Sequence, residues 1–169
     1  MRSIEQLKEA LEKELELYEK VLELGESKVN IVVKGKVKEL EDITKKEEQY
    51  VVNMGTFEKV RRSIFVNIAS ELQCREIESL SQLILILEER NYDDHELKTL
   101  DDLRNKLMSV IDKIKAANEL NEKLIKQSLN YISVNKELLL SAENPGNQYG
   151  KKAEENEKKT NTSFLDVRV

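Results

Sequence analysis

The stretch SIEQLKEALEKELELYEKVLELGESKVNIVVKGKVKEL, Ser3 to Leu40, decides the fold. Its apolar residues fall at Ile4, Leu7, Leu11, Leu15, Tyr18, Leu22, Val29 and Val32, and Gly25 fills the step between Leu22 and Val29. Steps of three and four place them on one stripe of an α-helix, and Glu and Lys cover the other faces. Ser3 and Gln6 have capping-box spacing, in which the hydroxyl accepts from a first-turn amide and the Gln reaches back. Gly35, within VVKGK, is placed to end the helix in a left-handed conformation. The pattern predicts a helix over about 3–33 and a corner from which a second helix leaves at 37.

Reading onward, Val37, Leu40, Ile43, Tyr50, Met54, Phe57, Val60, Ile64 and Ile68 predict a helix over about 37–69. Glu47 interrupts its stripe, and Gly55 weakens it by up to about 1 kcal/mol relative to Ala. Leu72, Ile77, Leu80, Leu83, Ile84 and Leu87 fit a short helix over about 76–90. Periodicity alone also allows a strand from Leu83 to Leu87. A helix is favoured because no second strand candidate exists to pair with it. Asn91-Tyr92-Asp93-Asp94 reads as a turn, and Asp93 with Glu96, or Thr99 with Asp102, is spaced to cap the next helix. That helix, about 94–141, carries Leu97, Leu100, Leu103, Leu107, Ile111, Ile114, Asn118, Asn121, Ile125, Ser128 and Ile132. The expected fold is all-α: an elongated antiparallel hairpin or bundle of about three long helices plus one short helix, over residues 1–142.

Composition agrees. Of 169 residues, 36% are charged, 39% hydrophobic and only 5% aromatic, which suits long amphipathic helices better than a thick globular core. A net charge of −5 supplies no basic face for nucleic acid and no attraction to an anionic membrane. The opening residues hold no apolar signal-peptide core, and the longest apolar run, Leu83 to Leu87, is five residues against the roughly 20 of a membrane span. One cysteine, Cys74, allows no internal disulfide framework. The expectation is a cytoplasmic protein that neither inserts in membranes nor binds nucleic acid.

After Ala142 the composition changes. Glu143 to Gly150 holds the only proline and two of the five glycines, and Lys151 to Asn161 is charged and poor in apolar residues. Residues 143–169 are expected to form a flexible tail ending in a short apolar motif with Phe164, Leu165 and Val167, and with Tyr149 as a weaker contact.

No constellation for catalysis or metal binding emerges. His95 is the only histidine, whereas a di-iron bundle needs two Glu-x-x-His motifs. Cys74 has no histidine nearby in sequence, and no phosphate loop or zinc-ligand spacing is present. No enzyme activity and no cofactor are therefore expected. The informative segment is instead AANELNEKLIKQSLNYI, Ala116 to Ile132. Asn118 and Asn121 stand where a packed helix normally has leucine. They either set register or touch a partner, as polar seam residues do, or they merely lie at the solvent edge. Leu124, Ile125, Ser128, Leu129 and Ile132 follow, either as ordinary core or as a groove for an amphipathic partner helix.

Three places together resemble the FlgN family of flagellar export chaperones. They are the Val32–Leu40 corner, the acidic pair Glu47-Glu48, and Asn118-x-x-Asn121-x-x-Leu124-Ile125-x-x-Ser128-Leu129. The resemblance implies a cytosolic protein that escorts unassembled hook-associated proteins to the flagellar type III export apparatus. It also implies that the client is held by the end of the last long helix and the segment after it. The competing reading is a structural coiled-coil adaptor without an export role. A long exclusive homodimer along the first two helices would mark that adaptor, and a possible homodimer is in any case compatible with the amphipathic pattern.

Overall fold

A computed structural model describes the backbone of residues 1–143 and the side chains of residues 1–142. Four helices appear among the described residues: α1 (Arg2–Val33), α2 (Val37–Leu72), α3 (Leu80–Glu89) and α4 (Asp94–Glu143). The fold is all-α, with no strand among the described residues, so Leu83–Leu87 belongs to a helix. The chain divides into a compact unit, Met1–Tyr131, and a second unit starting at Ile132. That division falls within α4. Its physical basis is that no side chain from Ile132 to Ala142 is buried.

In the first unit, α2 returns antiparallel to α1. Ser3 donates to Glu71, Arg61 reaches Glu14, and Lys28 reaches Glu47. α4 runs the same way as α1, with Lys8 on Glu96 at one end and Asn121 on Gly25 at the other. α3 lets both arrangements coexist. Leu83, Ile84 and Leu87 join Ile4, Leu7 and Leu11 of α1, Ile64, Phe65, Ile68 and Leu72 of α2, and Leu100, Leu103 and Leu107 of α4 in one core.

Three helix C-termini share one closing device. Gly35, Gln73 and Asn91 all have positive φ (65°, 50° and 52°). In each, the next residue's amide donates five residues back: Lys36 to Ile31, Cys74 to Ala69, and Tyr92 to Leu87. This is the Schellman closure, which satisfies the last carbonyls. Gly35 is the residue type such a corner favours, whereas Gln73 and Asn91 take the conformation without glycine's freedom.

The N-termini diverge from expectation in two places. Ser3 does not cap α1. The helix starts at Arg2 without a side-chain cap, and the Ser3 hydroxyl is drawn inward to Glu71. α3 starts at Leu80 rather than 76, because Ser79 is its cap and accepts from the Gln82 amide at 3.2 Å. Gln82 in turn accepts from the Glu78 amide at 2.9 Å. The three residues 76–78 ahead of this cap, which the sequence pattern placed in the helix, lie outside it. α2 also runs to Leu72 rather than 69. For α4, Asp93 caps by accepting from His95 and Glu96, each at 3.0 Å.

The inward stripe of α1 is likewise shifted. Leu17 and Glu14 are buried, whereas Leu15 is half-buried. Glu14 is a carboxylate 2% exposed, held by Arg61 Nη1 at 2.8 and 2.9 Å, with the Tyr18 hydroxyl donating to it at 3.2 Å. Burial, and then the negative charge of Glu14, push the Tyr18 phenol up to about 12. Further along, Lys28 meets Glu47 at 2.6 Å, so the acid that interrupts the α2 stripe is answered by a base on α1.

Removing one partner of a buried pair strands the other charge. Arg61→Ala is expected to lower unfolding free energy by about 2–3 kcal/mol, less than for a fully buried pair because Arg61 is partly exposed. Replacing both Glu14 and Arg61 by Met should cost less than Arg61→Ala alone; urea denaturation of the three proteins tests this. At the second corner, Gln73→Gly removes left-handed strain and should raise stability by about 0.5–1 kcal/mol. Asn91→Gly should gain less, because Asn tolerates this conformation. The same denaturation measurement compares them.

Candidate functional site

The late part of α4 carries every described residue singled out above as client-binding. Within the first unit they divide into two kinds. Asn121 is 2% exposed, and its Nδ2 donates to the Gly25 carbonyl at 2.7 Å. Its Oδ1 is buried without a partner among the described residues. Asn118, three residues earlier, is exposed. The two asparagines that look equivalent in sequence therefore differ in role. Asn121 pins α4 to α1 at one register, the use to which a polar residue on a helix seam is best suited. Asn118 stands at the edge of that seam.

Gly25 is the counterpart of this contact. A Cβ built there would lie 3.5 Å from the Ala117 Cβ and 4.0 Å from Asn118 Oδ1. Small residues on both helices bring the backbones near enough for one side-chain amide to bridge them. Leu124, Ile125 and Ser128 are half-buried, and Leu129 and Tyr131 are 60% and 71% exposed. Burial along α4 thus fades over two turns after Asn121.

In the second unit, Ile132, Val134, Leu138, Leu139 and Leu140 are exposed by 61, 47, 60, 68 and 52%. Isolated exposed apolar side chains are ordinary, but five within nine residues of one helix are not. Sequence reasoning singled out Leu129 and Ile132 and passed over Tyr131, Val134 and the leucine triplet. The triplet was a usable signal. Three consecutive leucines point about 100° apart around a helix, so a single packing face cannot bury them all. Tyr149, Phe164, Leu165 and Val167 lie outside the described residues.

The chemistry available here is that of a binding surface. Among the described residues, no group of three or more His, Cys, Asp or Glu side chains is arranged to hold a metal. No described helix is long and apolar enough to cross a membrane. His95 is exposed in the first turn of α4, and Cys74 is a free, half-buried thiol beside the core.

The family model "FlgN protein" matches residues 1–157. A curated relative, "Uncharacterized protein YvyG" of Bacillus subtilis (strain 168), is 29% identical over 128 residues, covering 76% of this chain and 75% of its own. No solved structure matches the chain.

The Gly25 contact makes a signed prediction. Gly25→Ala adds a methyl at ordinary van der Waals distance and improves helix propensity, so stability should rise by about 0.5–1 kcal/mol. Gly25→Leu overfills the crossing and should lower it by about 1–3 kcal/mol. Thermal and urea unfolding of both variants check the reversal of sign.

Proposed function

The chain belongs to the FlgN family of flagellar export chaperones, and from that membership and the open apolar face of α4 we propose that it holds unassembled hook-associated proteins in the cytoplasm and delivers them to the flagellar export apparatus. FlgN proteins form a chaperone family that binds flagellar hook-associated proteins and is not an enzymatic one. The finer assignment to this chain's own residues rests on one observation: apolar side chains of α4 from Leu129 to Leu140 are exposed, although the same helix is well buried earlier.

The proposed mechanism is reversible association. In the first unit, an amphipathic client helix packs along Ile125 and Leu129, which lie on one side of α4; in the second, Ile132 and Leu139 offer exposed apolar side chains of their own. Burying each such side chain contributes about 1.5–3 kcal/mol, offset by the cost of ordering the client. The balance gives binding tight enough to prevent client self-association and loose enough for hand-over. Asn118 sits at the near edge of this face and supplies a polar contact. Asn121 supports the face from inside by fixing α4 on α1. In the tail, Phe164, Leu165, Val167 and Tyr149 are assigned to the same delivery task, on the client or on the export apparatus. A homodimer is compatible with this reading if it leaves α4 uncovered.

The test uses exposed positions, because truncating the end of α4 would also remove the packed Asn121. Leu129→Ser, Ile132→Ser and Leu139→Ser combined should leave the melting temperature nearly unchanged, as substitutions at exposed sites do. Affinity for purified hook-associated protein, read by titration calorimetry, should fall at least about tenfold, the loss expected from a little over 1.4 kcal/mol. A control with Val33→Ser and Met108→Ser, also exposed, should bind normally. Undiminished binding by the triple variant would refute the assignment.

A further inference from the structure

We propose that two copies of this chain pair antiparallel through the outer face of α2, with Gly55 at the two-fold axis. The inward face of α2 is occupied by Ile43, Ile64, Phe65 and Ile68. On the opposite side, Val51 and Val52 are 58% and 69% exposed, and Val66 is 59% exposed. They fall at helical steps of three and four on one stripe with Gly55.

Gly55 is unexplained by the single chain. A Cβ placed there would have nothing within 4 Å, and its φ is not in the left-handed region. A mid-helix glycine costs about 0.5–1 kcal/mol relative to Ala, and no contact among the described residues offsets it here. At the axis of a helix pair the missing side chain would let two backbones approach closely.

The charges on the stripe select the second occupant and its direction. In a two-fold contact, each position before Gly55 meets the one equally far after it on the other copy. Glu48 then faces Arg62, seven positions to either side. Thr44 faces Val66, and Val51 lies on the aliphatic stem of Lys59. A parallel arrangement would instead set Glu48 against Glu48 and Arg62 against Arg62. Arg62 already meets Glu58 at 3.0 Å, but both are well exposed, and such a pair holds the arginine only weakly. One helix pair lies at the small end of interface sizes, so the dimer forms at micromolar concentrations rather than permanently. It leaves Leu129 and Tyr131 of α4 uncovered, because neither takes part.

The test uses the full chain in a Cys74→Ser background. Gly55→Cys should cross-link to a dimer under mild oxidation far faster than Ser63→Cys, whose two copies would stand roughly 24 Å apart along the pair. By sedimentation equilibrium, Glu48→Arg or Arg62→Glu alone should weaken the dimer at least about tenfold, and the two together should restore it. A chain that stays monomeric up to ~100 µM, with both cysteine variants oxidising equally slowly, would overturn the proposal. A dimer indifferent to the charge reversals would overturn it equally, since it would use another face.

Discussion

The packing of α3 is the constraint on which the rest of the first unit depends. Ten residues deliver Leu83, Ile84 and Leu87 into a site made by α1, α2 and α4 together. Without that plug, the start of α1, the end of α2 and the first three turns of α4 would share too little apolar surface to fix their mutual positions. With it, the chain reverses between α2 and α4 over 21 residues, from Gln73 to Asp93, and α4 sets out alongside α1. Three fully buried residues, Leu7, Leu83 and Leu100, one each from α1, α3 and α4, belong to this core. It lies at one end of the hairpin; the end near the Gly35 corner has fewer buried apolar residues, chiefly Val32 and Ile43.

Polar residues hold that thinner end. Glu14 with Arg61, Lys28 with Glu47, and Asn121 with the Gly25 carbonyl succeed one another along α1. A hydrophobic seam tolerates sliding, because one leucine resembles the next. A carboxylate that must meet a guanidinium, or an amide that must meet one carbonyl, does not. These contacts therefore contribute more to register than to net stability, which for a buried pair is small once desolvation is counted. The Asn121 Oδ1, which has no partner among the described residues, fits this view, since a group retained for specificity is incompletely satisfied there at some energetic cost.

Which parts were legible in the sequence follows from the same physics. Strong 3.6-residue periodicity disclosed α1, α2 and α4 and their common class, and Gly35 disclosed the first corner because glycine advertises a left-handed backbone. The second and third corners were obscure because Gln73 and Asn91 adopt that backbone without the glycine signal. The Ser79–Gln82 cap escaped notice because it lies inside an apolar stretch, whereas Ser3, with equivalent spacing, is diverted by a tertiary partner, Glu71. Glu14 escaped for a similar reason: a charge on a Glu-rich helix reads as solvated until Arg61 is seen beside it. Asn118 and Asn121 were recognisable as a polar step, but only packing against Gly25 shows which of them turns inward.

The contrast between those two asparagines bears on how one helix serves folding and recognition. Up to Asn121, α4 spends its apolar side on the chain's own core, through Leu100, Leu103, Leu107 and Val110. Asn121 then fixes the helix at its last buried point, and Leu129 and Tyr131 beyond it are left to solvent. A greasy face hung on an unanchored helix would be a liability, because the helix could slide or rotate to bury its own leucines. An amide bonded to one backbone carbonyl prevents the sliding without drawing on apolar surface. Leu129 and Tyr131 are thereby kept from the intramolecular core by a contact that contains no leucine.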